Sequence, residues 1–306
     1  MRIVILMLVL LGMAVAEAHI YTLSTSPGKG LILDGASEVL MPHVSIGSPE
    51  GNWTYPYDYY PVYTQNQTIS GTFFGPGLPA GSELGVAAIR LKTSSFQEAL
   101  RGLFNLSASS KNLELLGFSP ISLNRTGKAN FTLAGMPPGL FALVAIDLSK
   151  LAIQLALPML VANDRISVES ADSFRAGDDL EVRIKVLSGQ GNISRDYGAA
   201  LSSLTEYRDA RIDMKSARSG MTSTISIGNE SLEIQGEPKV SRSLMEKLLP
   251  ILPPDSAIAM EKSNKTESEI SLLTDVTWKP GKYVLTCGVY SSKGLDGISQ
   301  KIIEIT

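Results

Sequence analysis

The sequence predicts an all-β protein made of two tandem immunoglobulin-like β-sandwich domains with short helical insertions. Three observations lead there. The first is the stretch from Thr277 to Ser292, TWKPGKYVLTCGVYSS. Pro280-Gly281 sets a tight turn, because proline fixes φ and glycine accepts positive φ. Beyond it Tyr283, Leu285, Cys287 and Val289 alternate with Lys282, Val284, Thr286 and Gly288, the period-two pattern of a strand. The second is that the unit occurs twice. Gly135-Met136-Pro137-Pro138-Gly139 leads into Leu140 to Ile146, again with an aromatic residue two places after the glycine. The third is length: 306 residues suffice for two domains, each with its own core. The repeat places them at 19–163 and 164–306.

Taken in order, residues 1–18 read as a secretory signal peptide. Arg2 is the charged n-region, Ile3 to Val15 the apolar stretch, and Ala16-Glu17-Ala18 the cleavage motif, with Ala14-Val15-Ala16 competing. Short strands punctuated at Pro27-Gly28, Asp34-Gly35 and Gly47-Ser48-Pro49 follow. Next come the aromatic run Asn52 to Tyr63, a strand over Gln67 to Phe74, and another over Ser82 to Lys92. Ser95 to Glu98 is a capping box that opens a short helix. Strands over Asn112 to Leu123 and Gly127 to Leu133, the Pro-Pro-Gly hairpin and an apolar strand over Leu151 to Val161 complete the first domain.

The second domain opens at Arg165. Glu181 to Leu187 alternates as a strand. Asp196 to Arg208 carries Tyr197, Leu201 and Leu204 at helical spacing but is compatible with a strand. Gly228-Asn229 predicts a two-residue hairpin turn. Ser243 to Glu246 caps a second helix that Pro250 ends. The Pro-Gly strand and Lys301 to Thr306 finish the chain. Strands interrupted by one helical insertion per half fit a sandwich rather than a βαβ alternation.

Charge excludes one class of partner. The net charge is −3 and no basic run occurs, so nucleic-acid binding has no electrostatic support. No second apolar stretch reaches membrane length, so no membrane span is expected after signal cleavage. Cys287 is the sole cysteine. It cannot close an internal disulfide, and its place in a strand predicts a buried, apolar role.

Eight of the ten asparagines begin Asn-X-Ser/Thr: Asn52, Asn66, Asn105, Asn124, Asn130, Asn192, Asn229 and Asn264. In a chain that crosses a membrane these are acceptors for N-glycans. Catalysis has little to work with. There are two histidines, and no nucleophile-elbow, HExxH, Walker or paired-cysteine motif. The expectation is no enzyme and no cofactor. Two binding readings remain. Trp53, Tyr55, Tyr57, Tyr59 and Tyr60 form a candidate stacking surface for a sugar or peptide. Cleavage after Ala18 would leave His19 at the N-terminus, where amine and ring nitrogen can chelate Cu(II), with His43 as the second imidazole.

Two resemblances add to this. The opening HIYTLSTSPGKGLIL, with His19, Leu23, Ser26, Pro27 and Gly30, is similar to the start of the periplasmic copper-binding sandwich family, although that family's Asp-Gly-His-Pro segment is absent. From Ile166 to Thr306, the segments YGAALSSL, TEYRDARIDM, GNESLEI and the TWKPGKYVLTCGVYSSKGL closing pair resemble a family of secreted methanogen proteins. That likeness, fainter over Thr68 to Val161, implies an archaeal extracellular protein of tandem β-domains at the cell envelope. The expectation is a secreted, N-glycosylated, non-catalytic structural protein of a surface layer, sheath or filament. It would associate with itself or with other envelope proteins, the terminal strand Lys301 to Thr306 docking across subunits.

Overall fold

The computed structural model describes residues 20–21, 28–48, 51–91, 113–150, 152–188, 191–217, 220–235 and 247–306. The signal peptide expected at 1–18, His19, Asn105 and the helix expected at Ser95 lie outside them, as do the first residues of the helix expected at Ser243. No described helix is long and apolar enough to cross a membrane.

The first half supplies β1 (Ile20–Tyr21), β2 (Gly30–Asp34), β3 (Ser37–Met41), β4 (His43–Ser48), β5 (Gly51–Tyr55) and β6 (Asp58–Thr64). It continues with β7 (Ile69–Phe74), β8 (Glu83–Leu91), β9 (Leu113–Ser122), β10 (Lys128–Leu133), β11 (Gly139–Asp147) and β12 (Ala152–Ala162). The second half supplies β13 (Ile166–Glu169), β14 (Ser173–Phe174), β15 (Leu180–Val186), β16 (Arg195–Ser203) and α1 (Leu204–Asp209). Then come β17 (Arg211–Ala217), β18 (Gly220–Ile227), β19 (Glu230–Gln235), β20 (Ser256–Ser263), β21 (Glu267–Leu272), β22 (Gly281–Ser291) and β23 (Gly294–Ile305). The chain is all-β, as expected.

The strands pair in a repeated order. In the first half one sheet runs β1-β2-β7-β10 and the other β3-β6-β12-β11-β8-β9. In the second half one runs β13-β15-β21 and the other β14-β23-β22-β16-β20. Set side by side, β2-β7-β10 matches β13-β15-β21, and β6-β12-β11-β8-β9 matches β14-β23-β22-β16-β20. Even the exception to antiparallel pairing recurs, since β6 runs parallel to β12 and β14 parallel to β23. The Pro-Gly repeat is the local sign of this. Gly139 and Gly281 each start the penultimate strand at φ +150 and +152, a region that favours glycine. Phe141 and Tyr283, two residues on, are both buried. The turn before β22 sits a step earlier than Pro280-Gly281, where Trp278 N–H donates to Asp275 O.

Each half packs an apolar core between its sheets. In the first, Leu31, Phe73 and Phe131 meet Leu143 and Leu157. In the second, Val182 and Ile184 from β15 meet Tyr197, Leu285, Cys287 and Ile303. Burial pushes the Cys287 thiol up, so it stays protonated, in line with the apolar role expected of it. Tyr283 OH donates to Lys279 O at 2.9 Å, and its ring stacks on Trp278; such a tyrosine corner pins the crossing from one sheet to the other.

A fifth sheet, β19-β18-β17-β4-β5, draws on both halves. Its β4–β5 hairpin is inserted between β2 and β6, and β17 to β19 between β16 and β20. β4 runs parallel to β17, with His43 opposite Arg211 and Gly47 opposite Lys215, and Ser45 Oγ donates to Asp213 at 2.6 Å. The boundary placed at 163/164 falls in the link between β12 and β13, and the fifth sheet crosses it.

Three local expectations meet their outcome here. Asp196 to Arg208 is strand and then helix: β16 ends at Ser203, whose hydroxyl accepts from Glu206 N–H and caps α1. Gly228-Asn229 does turn the β18–β19 hairpin, with Gly228 at φ +58. The terminal strand has strand partners within the chain on both sides. It lies inside its sheet between β22 and β14, Ile303 and Ile305 are buried, and its ladder is taken up on both sides at residues 304–305.

Candidate functional site

The densest polar arrangement lies where the two halves join. Arg195, at the start of β16, and Asp296, in β23, form an ion pair with 2.9 Å between Nε and Oδ2 and side chains 2% and 7% exposed. Asp296 Oδ1 also accepts from Asn163 Nδ2 at 3.0 Å and Ser291 Oγ at 2.8 Å. The backbone joins in, since Asn163 N–H donates to Leu295 O and Asp164 N–H to Asp296 O. Asp164 in turn accepts from Arg165 N–H and from Ser188 N–H and Oγ. Around these groups is a cleft of about 260 Å³, lined also by Gln65, Ile193 and Lys293. Both carboxylates accept from several donors, which ties the link between β12 and β13 to β23 and to the segments beside it. Arg195 and Asp296 are 101 residues apart, and nothing in either neighbourhood of the sequence announces the pair.

A second space, about 100 Å³, lies between the outer face of β16, β20 and β22 and the fifth sheet. Ala200, Tyr207, Ile212, Ile225, Leu248 and Ile258 line it. Burial pushes the Tyr207 phenol well up, and its hydroxyl donates to Leu40 O at 2.8 Å. This wall is apolar and tethers α1 to the first half.

The aromatic run divides between β5 and β6. Tyr55 and Tyr60 are buried and meet edge to face, with ring centroids 6.3 Å apart. Tyr63, the next aromatic, is buried and donates to Asp34 O. Tyr57 and Tyr59 are half-buried. Tyr57 lies edge-on to Tyr207, with the Arg208 guanidinium 5.9 Å from its ring centroid. The Trp53 side chain lies outside the described residues. Tyr55 and Tyr60 therefore pack the fifth sheet onto the first half, while Tyr57 and Tyr59 keep part of their surface exposed.

Six of the eight sequon asparagines have described side chains, and all six are exposed. Asn66 and Asn192 turn the chain at φ 64 each, a left-handed conformation asparagine tolerates. Asn124 Oδ1 accepts from Thr126 N–H, Thr126 Oγ and Lys128 N–H, leaving its amide nitrogen, the atom a glycan would take, outside those bonds. Asn229 tips the β18–β19 hairpin and Asn264 the β20–β21 hairpin. Asn192 N–H donates to Asn264 O, so those two sequons are neighbours. Asn130 stands on β10, its carbonyl accepting from Thr72 Oγ at 2.9 Å. His43 is half-buried on β4. Among the described residues no group of three histidine, cysteine, aspartate or glutamate side chains gathers as for a metal.

No family model matches the chain, and no curated protein matches it. Among solved structures, red sea bream transglutaminase is similar to it with 7% identity and a TM-score of 0.28, over 80% of this chain and 30% of that one.

Proposed function

We propose that this chain is a secreted, N-glycosylated, non-catalytic structural protein of a cell envelope, a subunit of a surface layer, sheath or filament. The observation that carries the reading is the exposure of all six described sequon asparagines. Asparagine in turns is often exposed, but here the set includes a strand position, Asn130. Sugars attached at these positions would spread over both halves and meet no packed neighbour. The joint supports the same reading, because the fifth sheet draws strands from both halves and the Arg195–Asp296 network ties the link between them. A sugar- or peptide-binding role for the aromatic run draws less support, with Tyr55 and Tyr60 committed to the interior.

Glycopeptide mass spectrometry on a washed envelope fraction from the native source tests the proposal. The expected result is abundant envelope-bound protein with most sequons occupied and an N-terminus at or near His19. Protein found only in the medium with bare sequons would overturn it.

A further inference from the structure

Five sheets present ten edge strands among the described residues. An edge strand offers unpaired N–H and C=O groups to any other chain, and folded proteins blunt edges with shortness, charge, proline or bulges. Eight of the ten are blunted in this way. β1 and β14 have two residues each. β13 has only four residues, β3 carries Glu38, β19 Glu230 and Glu233, β20 Glu261 and Lys262, and β21 Glu267 and Glu269. β9 has Glu114, Pro120 and a bulge opposite Ala88–Ile89.

The two that remain are β5, GNWTY, and β10, KANFTL. β5 has no charge. The one charge of β10, Lys128, is its first residue and lies over the Phe74 ring. These two edges each contain a complete sequon within the strand, Asn52-Trp53-Thr54 and Asn130-Phe131-Thr132. The other described sequon asparagines are on turns and hairpins. In β10, Phe131 and Leu133 face the core while Asn130 and Thr132 are exposed. The Asn130 bond to Thr72 uses the carbonyl oxygen, not the nitrogen that takes a sugar.

We propose that the glycan at Asn130 is an edge guard: it stands where other edges of this protein place a charge, and it denies β10 to a second copy of the chain. The inference rests on the glycosylated reading above and gives one of its sites a function. It also says which edge an assembly of this protein does not use.

The test uses the full chain secreted from a host that glycosylates sequons, with occupancy measured by mass spectrometry and molar mass by light scattering. Asn130→Gln and Thr132→Ala each remove the same glycan by a different residue, and Asn229→Gln removes one from a hairpin as a control. The first two are expected to at least double the molar mass at high concentration. The control is expected to match the parent, and Asn130→Lys, a charge in place of the sugar, to restore it. If Asn130 is occupied in the parent and both variants keep the parental mass, the guard is refuted and glycosylation stands. Equal association by Asn229→Gln refutes it as well. A bare Asn130 in the parent removes the glycosylated reading at this site together with the guard.

Discussion

Replacing Asp296 with alanine tests the joint most directly. Its carboxylate meets an Arg195 side chain that is 2% exposed. Without it the buried guanidinium loses the carboxylate it meets at 2.9 Å, a loss of about 3–5 kcal/mol. Asn163 and Ser291 also lose their acceptor, at about 1 kcal/mol each. Against a typical stability of about 5–15 kcal/mol, Asp296→Ala should remove a large fraction of the whole. Most of that loss is the cost of a buried charge deprived of this carboxylate rather than the worth of the pair. The double variant Arg195→Met with Asp296→Leu should therefore recover most of it, remaining about 2 kcal/mol below the parent for the two neutral donors. Urea denaturation followed by circular dichroism measures all three proteins. A single variant within about 1 kcal/mol of the parent, or a double variant as unstable as the single, would refute this account.

Three further outcomes are expected. Gly135→Ala should destabilise by about 1–3 kcal/mol, because a Cβ there would fall 2.4 Å from the Asn66 backbone; a melting temperature equal to the parent's contradicts this. Removing Ile302 to Thr306 should unfold the second half rather than free a monomer, since Ile303 and Ile305 fill its core and each buried isoleucine is worth about 2–5 kcal/mol; native-like circular dichroism in the truncated chain would count against it. Alkali should erode stability. Burial raises Cys287 from 9.0 and raises Tyr197, Tyr207 and Tyr290 from 10.0, and Tyr283 is pushed up to about 12 by burial and then by Asp255. Raised folded-state values favour the protonated form, so stability is complete below the unfolded values and declines as the pH climbs from them through the folded ones. Melting temperature followed from pH 8 upward, alongside tyrosinate absorbance, reads this directly, and a flat profile would contradict it.

The sequence by itself determined most of the strands, though not β17 or β20, together with the sandwich class and the repeat. Alternation such as Tyr283, Leu285, Cys287 and Val289 is set by the two-residue period of a pleated strand, and Pro-Gly at 138–139 and 280–281 is set by backbone conformation. Both are properties of neighbours in the chain. The hairpin at Gly228-Asn229 and the eight sequons are local in the same sense. The tertiary structure decided what depends on residues far apart. It paired His43 to Gly47 with Arg211 to Lys215 and so made a sheet from two insertions. It joined Arg195 to Asp296, turned Tyr55 and Tyr60 inward, and placed the terminal strand inside a sheet. The same hydrophobic alternation describes a strand at an edge and a strand in the middle. Which one it is depends on the partner that fills its remaining hydrogen bonds, and that partner lies elsewhere in the chain.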